Sequence, residues 1–151
     1  MSINTSNGGV PKLPVGGSRR IAVGKGGVAG DRQRDLRYHG GPERAVCLYS
    51  SERIAALQAE GHHVEVGSLG ENLTLAGIDW ALMTTGTSVR VGSVTLELTR
   101  PAAPCAKLTG FFAEGDFTRV SEKLHPGWSR MYARVLEEGA VQVGDPVEVR
   151  T

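Results

Sequence analysis

Apolar residues come in short runs broken by glycine, proline and charge, and their spacing changes along the chain. Val94, Leu96 and Leu98 alternate with Thr95, Glu97 and Thr99, a period of two that predicts a half-buried strand. With Thr87–Val91 and the turn Gly92-Ser93, this stretch reads as a hairpin. Ala45–Tyr49 is continuously apolar and predicts a central strand. From Ser51 the spacing lengthens. A serine cap at Ser50 or Ser51, Glu52 in the first turn, Ile54, Leu57 and nearby alanines, and Gly61 as a stop predict a helix.

Arg19–Val23 reads as a short strand, and Gly67–Gly77 as a tight turn feeding another. Ser129–Leu136, the turn Glu137-Glu138-Gly139 and Ala140–Val143 predict a second hairpin, and Gly144-Asp145-Pro146 turns into Val147–Val149. Short helices are expected over Ala106–Phe112 and from Thr118 to Leu124, the second ended by Pro126 and Gly127. The pattern gives roughly seven strands, within the range of a small closed barrel. Residues 1–18, rich in Gly, Ser, Asn and Pro, predict a flexible leading segment, and residues 19–151 a single domain.

Composition narrows the class. Glycine supplies 21 of 151 residues, about twice the average share of ~7%, and falls between apolar runs without a repeat, favouring a β-rich fold over a helical bundle. A net charge of +1 with 5% aromatic residues supplies neither the basic surface nor the stacking platforms that nucleic acid requires. No apolar stretch long enough to span a membrane and no basic-then-apolar leader occurs, so no membrane partner and a cytoplasmic location are expected. Two cysteines without paired spacing fit a reducing compartment.

Cys105 is the leading chemical candidate. In Thr99-Arg100-Pro101-Ala102-Ala103-Pro104-Cys105-Ala106-Lys107-Leu108 a thiol follows a strand and a proline that closes it. At the start of a short helix and near Lys107, its thiolate would be favoured, suiting a soft metal or a sulfane sulfur. The residues alone leave open whether this cysteine is chemical or structural. Cys47, in an apolar run, reads as a small buried hydrophobe.

Arg32, Arg34, Arg37 and Arg44, with Asp31, Asp35, His39 and the turn Gly40-Gly41-Pro42, form a segment too polar for core. Its guanidinium groups suit phosphate and polar heterocycles. Glu71-Asn72 could place a carboxylate and an amide at a pocket rim, or simply bond locally within the turn. The glycine loop 24–30 lacks the Gly-Lys-Ser/Thr end of a P-loop and reads as a connection between strands. Zincin, kinase and protease signatures are missing, and the sulfur ligands are too few for structural zinc.

Four ordered segments together resemble the MOSC family, domains found at the C-terminus of molybdenum cofactor sulfurases and as small free-standing proteins. They are Gly30–Asp35 with His39–Pro42 and Ala45-Val46; Gly67–Thr74 through Gly77; Pro104-Cys105 with Lys107-Leu108; and Tyr132–Gly139 ending in Gly144-Asp145. The resemblance covers roughly residues 19 to 149 and implies a mostly β, closed barrel-like fold with complex strand order and a few short helices.

It also implies a pocket for the molybdenum cofactor (molybdopterin). Cys105 is then the metal ligand, and His39 contacts pterin or substrate. Asp31, Arg32, Arg34, Asp35, Gly40, Gly41, Arg44, Glu71, Asn72 and Lys107 are its cofactor-binding set. Two activities follow from the resemblance: reduction of N-hydroxylated small molecules with an external electron donor, or carriage of a persulfide on Cys105 delivered by a separate desulfurase. A third reading is a non-catalytic cofactor-binding module. No pyridoxal-phosphate site is expected within this chain. One departure stands out: where many members have Pro-Arg-x-Pro-Cys, Pro101-Ala102-Ala103-Pro104-Cys105 carries an alanine.

Overall fold

The computed structural model describes residues 1–6, 10–16, 19–31 and 42–150. Strands dominate them: β1 (Ser2–Thr5), β2 (Leu13–Pro14), β3 (Ile21–Gly24), β4 (Gly27–Val28), β5 (Val46–Ser50), β6 (Leu73–Leu75), β7 (Ser88–Val91), β8 (Val94–Ala102), β9 (Arg130–Glu137), β10 (Gly139–Val141) and β11 (Val147–Arg150). One α-helix, α1 (Ser51–Ala59), follows β5 directly, and short 3-10 helices fill several connections, among them Ala106–Phe111 and Phe117–Val120. Ser50 caps α1 by accepting a hydrogen bond from the Arg53 N–H.

Eight strands form one mixed sheet in the order β11-β7-β8-β9-β5-β6-β1-β2, and β10-β3-β4 form a second. The mostly β expectation holds. The large sheet runs from β11 at one edge to β2 at the other, with no pairing between those edges among the described residues. β5 and β6 run parallel, with α1 in the connection between them; the other neighbours are antiparallel.

Three readings of the sequence change. Strand structure begins well before Arg19: Ser2–Thr5 pairs with β6, and Ile3 and Asn4 are buried. Such a polar stretch enters the interior because Asn4 bonds to the Glu71 carbonyl and the Thr74 hydroxyl. The hairpin expected around Glu137–Gly139 does not form. β10 follows β9 after Glu138 alone, yet it pairs with β3 in the small sheet, so this junction links two sheets. The glycine loop is the β3–β4 hairpin, where Gly27 at φ +119° lies so close to the Ala45 carbonyl that a side chain would overlap it.

Pairing register sorts the side chains. Val46, Leu48, Leu73, Met131, Ala133, Val135, Leu96 and Leu98 align across β5, β6, β8 and β9 and are buried together. One step along each strand, Cys47 pairs with Tyr132 and Tyr49 with Thr74, so the opposite face is the polar one. A register shift between Leu98 and Arg100 then sets Arg100 opposite Tyr132 and Ala102 opposite Arg130. This irregularity turns the end of β8 toward the polar face.

Candidate functional site

The polar face is anchored by the turn before β6. Gly67 and Gly70 adopt φ of +84° and +89°, and a side chain at Gly67 would run into the Lys12 carbonyl. The Gly70 N–H returns to the Gly67 carbonyl at 3.0 Å, closing the turn that delivers Glu71 and Asn72 inward. Asn72 then binds β5 from both its backbone and its side chain. Its N–H donates to the Cys47 carbonyl at 2.7 Å, and its Oδ1 accepts the Cys47 N–H at 2.9 Å. Its Nδ2 donates to Asp31 Oδ2 at 2.9 Å.

Asp31 gathers further donors. Lys12 Nζ lies 2.6 Å from Oδ2 with both side chains at most 5% exposed, and the Ser6 N–H donates to Oδ1 at 3.0 Å. The Lys12 N–H bonds to the Gly67 carbonyl, tying this ion pair to the turn. Glu71 is fully buried. Its Oε2 accepts from the Gly67 N–H and the Thr74 hydroxyl, whereas Oε1 has no hydrogen-bond partner among the described residues. Burial raises its pKa, against the opposing pull of those hydrogen bonds and of Arg130.

Arg130 enters from β9 and is 6% exposed. Nη1 donates to the Leu69 carbonyl at 2.7 Å, and Nη2 to the Ala103 carbonyl at 3.3 Å and the Ala102 carbonyl at 3.5 Å. One guanidinium therefore joins the turn before Glu71 to the segment just before Cys105. Nε has no partner, and no carboxylate lies within ion-pairing distance among the described residues. Ala102, fully buried and opposite Arg130, takes up little space beside it.

Cys105 follows. It has extended backbone angles, φ −137° and ψ 173°, immediately before the 3-10 helix Ala106–Phe111, and is a free, partly exposed thiol. Cys47 is free and buried, and burial pushes its thiol up to about 11. Tyr132 lies within electrostatic reach of both cysteines, Arg130 and Arg44; burial chiefly raises its phenol pKa, and the Arg44 guanidinium lies 5.7 Å from its ring centre.

The structure therefore brings Asp31, Glu71 and Asn72 into one buried network, with Arg44 over Tyr132 on the flank of the Cys105 face. Glu71 and Asn72 are interior and bonded to the protein's own groups; Lys107 is exposed. Arg32, Arg34, Asp35, His39, Gly40 and Gly41 lie outside the described residues. Sequence reasoning missed Lys12 and Arg130. The strand alternation Arg130-Met131-Tyr132-Ala133-Arg134-Val135 contained the signal for Arg130, since a cation in phase with Tyr132 faces the polar side. A cavity of about 390 Å³, lined in part by Trp80, Met83, Pro101 and Met131, includes none of the candidate residues.

Comparison with known proteins places the chain in a family and matches its fold. The model of the MOSC domain matches residues 35–148. The chain is similar to the uncharacterized protein YflK of Bacillus subtilis, 31% identical over 142 residues, covering 93% of this chain and 62% of that protein. It is similar also to protein YiiM of Escherichia coli, 28% identical over 145 residues with the same coverage, 93% and 62%. The chain thus spans less than two thirds of the length of these relatives. Among solved structures, YiiM from Geobacillus stearothermophilus matches with a TM-score of 0.74 at 26% identity, over 99% of this chain and 73% of that one. YiiM from Escherichia coli matches with a TM-score of 0.72 at 22% identity, over 99% and 68%, a likeness of fold.

Proposed function

Because the chain belongs to the MOSC domain family, we propose that it binds the molybdenum cofactor through Cys105 and reduces N–O bonds of N-hydroxylated small molecules, with electrons from an external donor. The observation that carries this reading is a partly exposed thiol whose preceding segment is held by a buried guanidinium with no carboxylate to balance it among the described residues. A soft sulfur donor and an uncompensated cation suit a soft metal delivered on an anionic, phosphate-bearing pterin. Among the described residues no three His, Cys, Asp or Glu side chains gather as a metal cage, so a metal at Cys105 brings its other ligands with it, as a dithiolene does.

When bound, the cofactor supplies a metal that exchanges two electrons. This chain's own residues do the remainder. Cys105 holds the metal at the start of a short helix. Arg130 fixes the preceding segment against the Leu69 carbonyl and supplies positive charge. Tyr132, a phenol whose pKa burial raises further above its ordinary value of about 10, offers an O–H on the face shared with Cys47. Arg44, over that ring, is the described arginine of the segment proposed to hold the phosphate.

The test is expression in a host that makes the cofactor, followed by metal analysis. Near-stoichiometric molybdenum in the wild type and its loss in Cys105→Ala are expected; no molybdenum, or equal amounts in both, overturns the proposal. The partial exposure of Cys105 also supports a second reading, a persulfide carrier. After incubation with a desulfurase, intact mass should then gain one sulfur that reductant removes.

A further inference from the structure

We infer that Arg130 is the positioning residue of the Cys105 site and the fixed charge that makes this site select anionic ligands. The inference rests on the proposed function for the identity of the ligand, a phosphate-bearing anion, while its physical content can be tested on the protein without any cofactor.

Geometry carries the argument. A guanidinium has five donors in a rigid fork, and here two of its nitrogens are spent on three main-chain carbonyls: Leu69 on one side, Ala102 and Ala103 on the other. Those carbonyls belong to the turn that delivers Glu71 and Asn72 and to the segment that delivers Cys105. Removing the fork uncouples the two. Carbonyl dipoles orient the cation but do not cancel its charge, and no described carboxylate lies within ion-pairing distance. Glu71 is within electrostatic reach of Arg130, and its burial shifts it toward the uncharged acid.

The charge is thus buried, weakly screened and, among the described residues, without a carboxylate in ion-pairing range, and it acts on Cys47 and on Tyr132, which is itself within electrostatic reach of Cys105. Other cations are near. Arg44 and Lys107 belong to more exposed positions, where salt screens them more strongly, and Lys12 is already paired with Asp31. Ala102 makes the arrangement possible. A large side chain at that fully buried position, directly opposite Arg130, would compete for the space the guanidinium occupies.

The experiment compares two disulfide reagents at the Cys105 thiol, the dianionic 5,5′-dithiobis(2-nitrobenzoate) and the neutral 4,4′-dithiodipyridine, at high salt. Cys47 is buried and stays silent. The same Cys105 thiolate attacks the disulfide of either reagent and expels its aromatic thiol, so the ratio of the two rates reports local charge independently of thiol ionisation. Arg130→Met should lower the anionic-to-neutral ratio roughly threefold or more, and Arg130→Lys should keep most of it.

A structural role alone moves both rates together and leaves the ratio unchanged, which overturns the inference; so does a lysine variant as low as methionine. Arg130→Gln replaces the methionine variant if that one does not fold, with the same expected fall. Molybdenum content of the wild type is measured separately. Its absence refutes the proposed function and leaves the rate ratio intact as a test of Arg130.

Discussion

Asn72 and Cys47 hold each other twice: the Asn72 N–H donates to the Cys47 carbonyl at 2.7 Å, and the Cys47 N–H donates to Asn72 Oδ1 at 2.9 Å. The side-chain amide thus extends the parallel β5–β6 pairing by one residue and carries it to Asp31. Replacing Asn72 with leucine keeps the branched shape, removes the acceptor of the buried Cys47 N–H and takes one donor from Asp31. Destabilisation of about 2–4 kcal/mol is expected, read from urea unfolding.

Lys12 and Asp31 form an ion pair that is almost wholly buried. Lys12→Met removes the cation of this buried pair and should cost about 3–5 kcal/mol, whereas the double variant Lys12→Met, Asp31→Asn should cost clearly less than the sum of the single changes. A double-mutant cycle on unfolding free energies measures this coupling.

Glu71 predicts a pH dependence of definite sign. Its folded pKa lies above the unfolded value of about 4.3, so the folded protein binds the extra proton. Its contribution is complete below the unfolded pKa and is lost as pH rises from there toward the folded value. Glu71→Gln should flatten the stability profile above about pH 4. Unfolding free energies of both proteins across the acid-to-neutral range provide the comparison, and parallel profiles would contradict the prediction.

The two thiols should differ sharply. With its thiol pushed up to about 11 and buried, Cys47 is inert at pH 8, while the partly exposed Cys105 reacts. Iodoacetamide should therefore add one carboxamidomethyl group to the native protein and two after denaturation, and Cys105→Ala should show none in the native state. Intact mass reads all three.

Much of the fold is legible from local pattern. The alternation of Val94, Leu96 and Leu98, the apolar run at Val46–Tyr49 and the serine cap with Ile54 and Leu57 each specify their element, because burial on one face imposes its period on the chain. β1, β2 and β4 were not legible. They have two to four residues each, too few to show a period of their own; β1 is fixed by pairing with distant β6, and β2 and β4 are short returns paired to β1 and β3. β10 was legible as a strand but not its partner, since strand propensity carries no information about which edge a strand will join.

The candidate site divides in the same way. Sequence by itself determined the thiol at a proline corner, the tight turn carrying Glu71 and Asn72, and the ordered motifs that relate the chain to its family, because those are local chemistry at fixed spacing. Only the tertiary structure decided that Asn72 and Glu71 face inward, that Lys12 closes on Asp31, and that Arg130 clasps the segment leading to Cys105. Each depends on pairing register. A shift between Leu98 and Arg100 sets Ala102 opposite Arg130, and a one-residue change in register moves a side chain to the other face of a sheet.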